Sequence, residues 1–248
     1  MNKLLIIIPA RSGSTRVKNK NMRNLNGFPL VGHKIKACID AKIGDVIVST
    51  DSKKIAKFSR DLGARVPILR SKNYSSAKAT MMSCVLHSLR DFLANNKKLP
   101  DYVAVLPPTD PFLKYKTIKK IYKKILLNKK FNSICTYKES TEHPFLYINN
   151  RKKLTLNIIK YKNKKLTDFE RSQDFPKAFI VSNAMQISKI KYFIKYIKNK
   201  SPYIKNYDFD INSCIGYKIS IMEGFDINTE TDFKIAKLMA KENNLLKK

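Results

Sequence analysis

Apolar residues along the chain come in short blocks whose spacing switches between two periods. Leu4–Ile8 is a run of five apolar residues, ended by Pro9 and by the polar loop Arg11–Asn21. A run this short, rich in isoleucine and stopped by proline, predicts a buried strand. A helix is expected from Leu30 to Ala41, entered through Gly27-Phe28-Pro29. Asp45–Thr50 reads as a second strand, Ser52–Leu62 as a helix closed by Gly63, and Arg65–Leu69 as a weaker third strand. From Thr80 to Ala94 the residues Met82, Val85, Leu86, Leu89 and Phe92 share one face at helical spacing. Tyr102–Leu106 and Ser133–Tyr137 are strand-like, with a helical stretch, Lys114–Leu127, between them.

This alternation predicts βαβ units, and so an α/β fold with a doubly wound, mostly parallel sheet covered on both faces. Ligands in such sheets bind beyond the C-terminal strand ends. The loops to watch therefore begin at Pro9, Thr50, Leu69, Leu106 and Tyr137. The pattern breaks between about residues 138 and 181, where lysine-rich sequence surrounds two β-like runs, Phe145–Ile148 and Leu154–Ile159. That segment reads as an inserted arm within a single domain spanning 1–248. Regular structure resumes at Ser188–Lys198, Tyr217–Met222 and Thr229–Leu246.

Charge adds a question. Fifty Lys+Arg against 19 Asp+Glu give a net +31 over 248 residues, which raises nucleic-acid binding as a class. Against it, the lysines are spread along the chain rather than gathered in a stripe, arginine is scarce, and no aromatic platform is interleaved with it. The expectation is no nucleic acid, with the field recruiting a small polyanion instead. Cys38, Cys84, Cys135 and Cys214 form no CxxC pair, and with three histidines they suggest buried free thiols rather than zinc. The N-terminal apolar run is too short for a signal peptide, and no segment reaches the about 20 apolar residues that span a bilayer. A cytoplasmic protein without membrane insertion is expected.

Candidate chemistry starts in the loop Pro9-Ala10-Arg11-Ser12-Gly13-Ser14-Thr15-Arg16-Val17-Lys18-Asn19-Lys20-Asn21. It lacks P-loop spacing. Small residues, hydroxyls and cations together suit a backbone anion nest around Gly13, flanked by Arg11 and Lys20. The same composition suits a solvated basic turn.

The block I-P-A-R-S-G-S followed by Lys20-Asn21 resembles the opening of the CMP-sialic acid synthetase (acylneuraminate cytidylyltransferase) family. The likeness continues through Gly27-Phe28-Pro29-Leu30, Val48-Ser49-Thr50-Asp51-Ser52, Leu69-Arg70, Pro108-Thr109-Asp110-Pro111, Arg171-Ser172-Gln173 and Phe225-Asp226-Ile227-Asn228-Thr229. The blocks keep family order over nearly the whole chain. The resemblance implies a Rossmann-like nucleotidyltransferase with a dimerisation arm. Such an enzyme transfers CMP from CTP to a sialic-acid-like (nonulosonic) sugar acid, and uses Mg²⁺ or Mn²⁺. It further implies that Arg11 and Lys20 act on the triphosphate as catalytic cations. Ser12, Gly13, Ser14, Asn21, Arg70, Ala79 and Thr80 would line the nucleotide site, with Arg70 near the cytosine. Thr109, Arg171 and Gln173 would meet the sugar acid, and Asp226 and Asn228 the metal.

Some positions depart from the family pattern. Thr15 replaces a frequent lysine, Asn228 a second carboxylate, Ala184 a glycine, Pro107 and Asp110 the glutamine and serine of Q-P-T-S-P, and Ala77 an acidic residue. These departures open the substrate to legionaminate or pseudaminate. A 3-deoxy-octulosonate or sugar-1-phosphate nucleotidyltransferase is the alternative within the class. Thr229, Glu230 and Asp232 read as a helix start, whereas Asp51 fits a ligand and a helix cap equally. His33, His87 and His143 are not placed as bases.

Overall fold

The computed structural model describes residues 4–14, 16–95, 98–146, 163–164 and 166–242. The chain opens with β1 (Leu4–Pro9), the two-residue strands β2 (Asn24–Leu25) and β3 (Phe28–Pro29), α1 (Leu30–Ala41) and β4 (Asp45–Ser49). Next come α2 (Lys53–Asp61), α3 (Lys72–Ser75), α4 (Met81–Ala94), β5 (Tyr102–Val105), α5 (Tyr115–Leu127) and β6 (Ser133–Glu139). The last elements are β7 (Phe179–Lys189), α6 (Ile190–Ile194), β8 (Cys214–Lys218) and α7 (Glu230–Glu242).

One six-stranded sheet carries the fold, in the order β4-β1-β5-β7-β6-β8. β1 pairs in parallel with β4 and β5, and β6 in parallel with β8. β7 runs antiparallel between β5 and β6. The expected mostly parallel sheet is therefore present, with one long reversed strand that the hydrophobic pattern did not predict. Phe179, Ile180 and Val181, at its start, are exposed, and Ser182, Gln186 and Ser188 are buried polar residues within it. Neither an unbroken apolar run nor clean alternation survives in such a strand.

Three further expectations need correction. Arg65–Leu69 forms no strand; it contributes one isolated bridge, Ile47 to Arg65. Pro67 has no N–H to continue a ladder, and Ile68 is exposed. The strand expected at Tyr217–Met222 lies earlier, at Cys214–Lys218. In the arm, Pro144–Leu146 forms a 3₁₀ turn instead of a strand. Tyr147, Ile148 and the run Leu154–Ile159 fall outside the described residues.

Alternate residues of β1 serve opposite faces. Leu4, Ile6 and Ile8 pack toward α1 and α5, and Leu5 and Ile7 toward α4 and α6. Ile6, Ile7 and Ile8 expose no surface, and each is stabilised by about 1.5–3 kcal/mol on leaving water. This double-sided burial explains why β1 reads as an unbroken apolar run. Asn26 and Gly27, with φ of 53° and 84°, turn β2 into β3. Both need the left-handed region that such a two-residue turn demands. The turn delivers the chain to α1, beside a third apolar cluster of Val17, Leu25, Leu30, Phe112, Ile227 and Phe233. That cluster seats α7 next to the loop after β1. All four cysteines are free, with Cys38 and Cys84 buried and Cys135 and Cys214 half-buried.

Candidate active site

A cleft of about 420 Å³ opens at the C-terminal ends of β1 and β5, where the fold predicts a ligand. Of the residues singled out in the sequence, Arg11, Ser14, Lys20, Asn21, Arg70, Ala79, Thr80, Thr109, Asp226 and Asn228 line it together. Ser12 and Gly13 stand on the same loop but are exposed and outside the lining. Arg171 and Gln173 are not brought in: they lie exposed at a 3₁₀ turn, Ser172–Asp174, away from the cleft. The described residues after Tyr137 in the arm do not join the lining, and Thr15 lies outside the described residues.

The loop after β1 is held from several sides. Ala10 N–H donates to Ser49 O (2.8 Å), which keeps the chain in register with β4. Asp51 then accepts twice from Ser12, at 2.8 Å from the backbone N–H and 2.7 Å from the hydroxyl. That settles the question left open for Asp51. It braces the loop, and its neighbour Ser52 caps α2 by accepting from Ile55 N. Asn21 Nδ2 donates to Arg11 O (2.8 Å), and Arg11 itself donates to Ser76 O (3.0 Å).

Lys20 spans the largest sequence distance in the site. Its Nζ donates to Ile227 O at 2.7 Å, which tethers the loop after β1 to the segment bearing Asp226. Burial pushes the Lys20 ammonium below the usual lysine range, and Asp226 pulls it back up. Beneath them Asp110 is fully buried and pushed up to about 7 by desolvation, against the pull of the buried Lys34. The C-terminal acids divide as expected. Thr229 Oγ1 accepts from Asp232 N while Asp232 accepts from Thr229 N, a reciprocal cap that starts α7. Glu230 pairs with Arg23 on the surface.

Asp226 stands apart from these capping acids. Its Oδ2 accepts from Asn228 Nδ2 (2.7 Å), while its Oδ1 is buried with no partner. Such an unsatisfied carboxylate oxygen is costly without a ligand. Magnesium takes oxygen ligands, commonly one or two carboxylates plus waters and substrate phosphates, and Asp226 fits that demand. With its amide nitrogen committed to Asp226, Asn228 could offer only its neutral carbonyl oxygen. No cluster of three or more His, Cys, Asp or Glu suits a metal among the described residues, so a cation here would lean on the substrate's own oxygens.

Arg70 is tied into the wall of the cleft. It is buried, and its terminal nitrogens donate to Ser49 O (3.0 Å), Cys84 Sγ (3.1 Å) and Tyr74 O (3.4 Å). Only Nε lacks a partner. Sequence reading missed Tyr74, Asn183, Gln186 and Asp208 in the lining. Asn183 and Gln186 belong to the unrecognised β7, and Asp208 lies in the irregular stretch before β8. No periodicity marks those positions.

A Rossmann-like sheet with a cation-lined cleft over its strand ends, closed by a carboxylate from the C-terminal segment, defines an α/β nucleotide-handling transferase. A family profile described as cytidylyltransferase matches residues 5–245. The chain belongs to this cytidylyltransferase family of nucleotidyltransferases. It is 41% identical over 121 residues to the CMP-N,N'-diacetyllegionaminic acid synthase of Legionella pneumophila, a match covering 47% of this chain and 50% of that protein. It is 28% identical over 245 residues to the pseudaminic acid cytidylyltransferase of Campylobacter jejuni, covering 98% of both. The fold superposes on a CMP:2-keto-3-deoxy-manno-octonic acid synthetase solved with CTP, with a TM-score of 0.67 at 15% identity over 97% of this chain and 99% of the other.

Proposed function

We propose that the chain transfers CMP from CTP to the anomeric hydroxyl of a nonulosonic sugar acid of the legionaminate, pseudaminate or sialate type, with release of pyrophosphate. The observation that carries this reading is the shared cleft of Arg11, Lys20 and Asp226, drawn from opposite ends of the chain. Relatives named for legionaminic and pseudaminic acids support the substrate class.

In the reaction, the anomeric oxygen bonds to the α-phosphorus. The bond from that phosphorus to the α–β bridging oxygen breaks, and the hydroxyl proton leaves to solvent. Lys20 and Arg11 hold the phosphate oxygens on which charge accumulates. The Asp51–Ser12 brace fixes the loop that presents them, and Asn21 fixes the backbone of Arg11. Asp226, with Asn228 beside it, would hold a magnesium ion, which supplies charge neutralisation at the phosphates. The net charge of +31 draws the polyanionic nucleotide toward the cleft.

Two copies of the chain form a dimer through the arm in this reading. Its support is the exposed apolar residues Phe179, Ile180 and Val181, together with the exposed Leu146 of the arm. No helix among the described residues is long and apolar enough to cross a membrane, which suits work in the cytoplasm, where CTP is made.

The test is pyrophosphate release from CTP and Mg²⁺ with a panel of legionaminate, pseudaminate, N-acetylneuraminate and 3-deoxy-octulosonate. Release with at least one nonulosonate is expected. Folded protein that binds CTP yet releases nothing with any nonulosonate would overturn the reading.

A further inference from the structure

Apart from Asp226, the cleft is lined by one other carboxylate, Asp208. It lies between α6 and β8, and the chain on either side of it is pinned. Tyr192 Oη donates to Tyr207 O at 2.8 Å, Asp210 N donates to Ser188 Oγ at 3.3 Å, and Asn132 Nδ2 donates to Asp210 Oδ2 at 3.0 Å. Asp208 is thus presented on a fixed backbone. Among the described residues, its side chain is served by its own amide and by no cation. Desolvation accordingly pushes its carboxyl up to about 6, which leaves it largely ionised at neutral pH.

The neighbouring wall repeats this pattern. Gln186 lies on β7 two residues before Ser188, on the same face of the strand. Its Nε2 is directed to Ser182 O (3.4 Å) and Asn183 Oδ1 (3.5 Å), and its Oε1 is buried without a partner. The Lys20 ammonium, by contrast, is flanked by Asp226, Arg16, Asp110, Arg11 and Asp232. The cleft therefore has a side rich in cations, with Arg11, Arg16 and Lys20, and a wall on which Asp208 and Gln186 present acceptors.

We infer that Asp208 orients the sugar acid, repelling the substrate's carboxylate and accepting a hydrogen bond from a hydroxyl or acylamino N–H on the rest of the sugar. This inference rests on the transfer reaction proposed above. In a 2-ulosonic acid the carboxylate is attached to the anomeric carbon itself. A negative wall disfavours the inverted pose, in which that end points away from the cations, and so favours the pose that brings the reacting hydroxyl toward the α-phosphate. The donors of the polyol and acylamino portion then meet Asp208, with Gln186 as a second acceptor. An ionised carboxylate with no partner beyond its own amide costs stability, and a donor-bearing substrate recovers that cost on binding.

The experiment compares Asp208→Ala and Asp208→Asn with wild type, using the panel acid that wild type turns over fastest. Both KM values are measured, together with equilibrium binding of CTP. Asp208→Ala is expected to raise KM for the sugar acid about 10- to 100-fold, the range for losing a hydrogen bond to a charged group. Asp208→Asn keeps an acceptor oxygen without the charge and should raise it less. CTP binding and the KM for CTP should stay at wild-type values in both, which also controls for folding. If the alanine variant does not fold, the isosteric asparagine variant carries the same reading through its own rise in sugar-acid KM. An unchanged sugar-acid KM, or an equal rise in both KM values, overturns the inference while wild-type turnover still upholds the proposed reaction. A wild type inactive with every nonulosonate overturns both.

Discussion

The phosphate side of the cleft and the wall formed by β7 with Asp208 are built on opposite plans. On the phosphate side the loop after β1 is already engaged: Ser12 by Asp51, Asn21 by Arg11 O, Arg11 by Ser76 O and Lys20 by Ile227 O. Asp226 Oδ1 and Arg70 Nε stay open. On the other wall, Gln186 Oε1 has no protein donor and Asp208 has only its own amide. The difference shows which half is preorganised for charge that appears during a reaction, and which half a ligand must complete. A triphosphate offers the same oxygens whatever the sugar, so its cradle can be rigid. Under the proposed reaction, the wall of Asp208 and Gln186 is where sugar acids with different substituents would be told apart.

The most severe test of this contrast is Lys20→Ala. It removes both a phosphate cation and the tie to Ile227, and should lower kcat about 10²–10³-fold with the circular dichroism spectrum unchanged. Near-normal turnover would remove Lys20 from the mechanism. The same residue sets a pH dependence. Its pKa is lowered by burial, so the free enzyme loses this cation at a lower pH than an ordinary lysine would. The kcat/KM for CTP should therefore fall as pH rises through that lowered value. Lys20→Arg, charged throughout, should abolish the limb.

A smaller effect is expected from Asp51→Ala, which frees Ser12 without touching a cation. Loss of its two hydrogen bonds should raise KM for CTP about tenfold, and the KM for the sugar acid should hold. A matching rise in both would make Asp51 a general structural support rather than a brace of the nucleotide loop. The adjacent Ser52→Ala gives the smallest change. Removing the α2 cap should cost about 1 kcal/mol of stability, read as a lower urea midpoint, and leave the KM for CTP unchanged.

The same division governs what could be read from the sequence. The phosphate side follows a strand buried on both faces, so Leu4–Ile8 announces itself and the loop after it can be located. Asp226 precedes a cap, Thr229 with Asp232, whose acids have a recognisable spacing. The other wall gives no such cue. β7 carries buried Ser182, Gln186 and Ser188 because a site and a β6 irregularity between Cys135 and Thr136 are built there, and these residues erase the alternation that would mark a strand. Asp208 sits in irregular chain fixed by neighbours far off in sequence, which no local pattern can reveal. Arg70 lines the cleft, and its engagement by Ser49, Cys84 and Tyr74 depends on packing that no local pattern announces.

The bond from Lys20 to the carbonyl of Ile227 joins positions 207 residues apart. During synthesis, then, the earliest strand and its loop emerge from the ribosome long before their counterpart exists. The cleft can close only after Ile227 has been translated, so a nascent chain interrupted before it would carry the loop after β1 with nothing to close against.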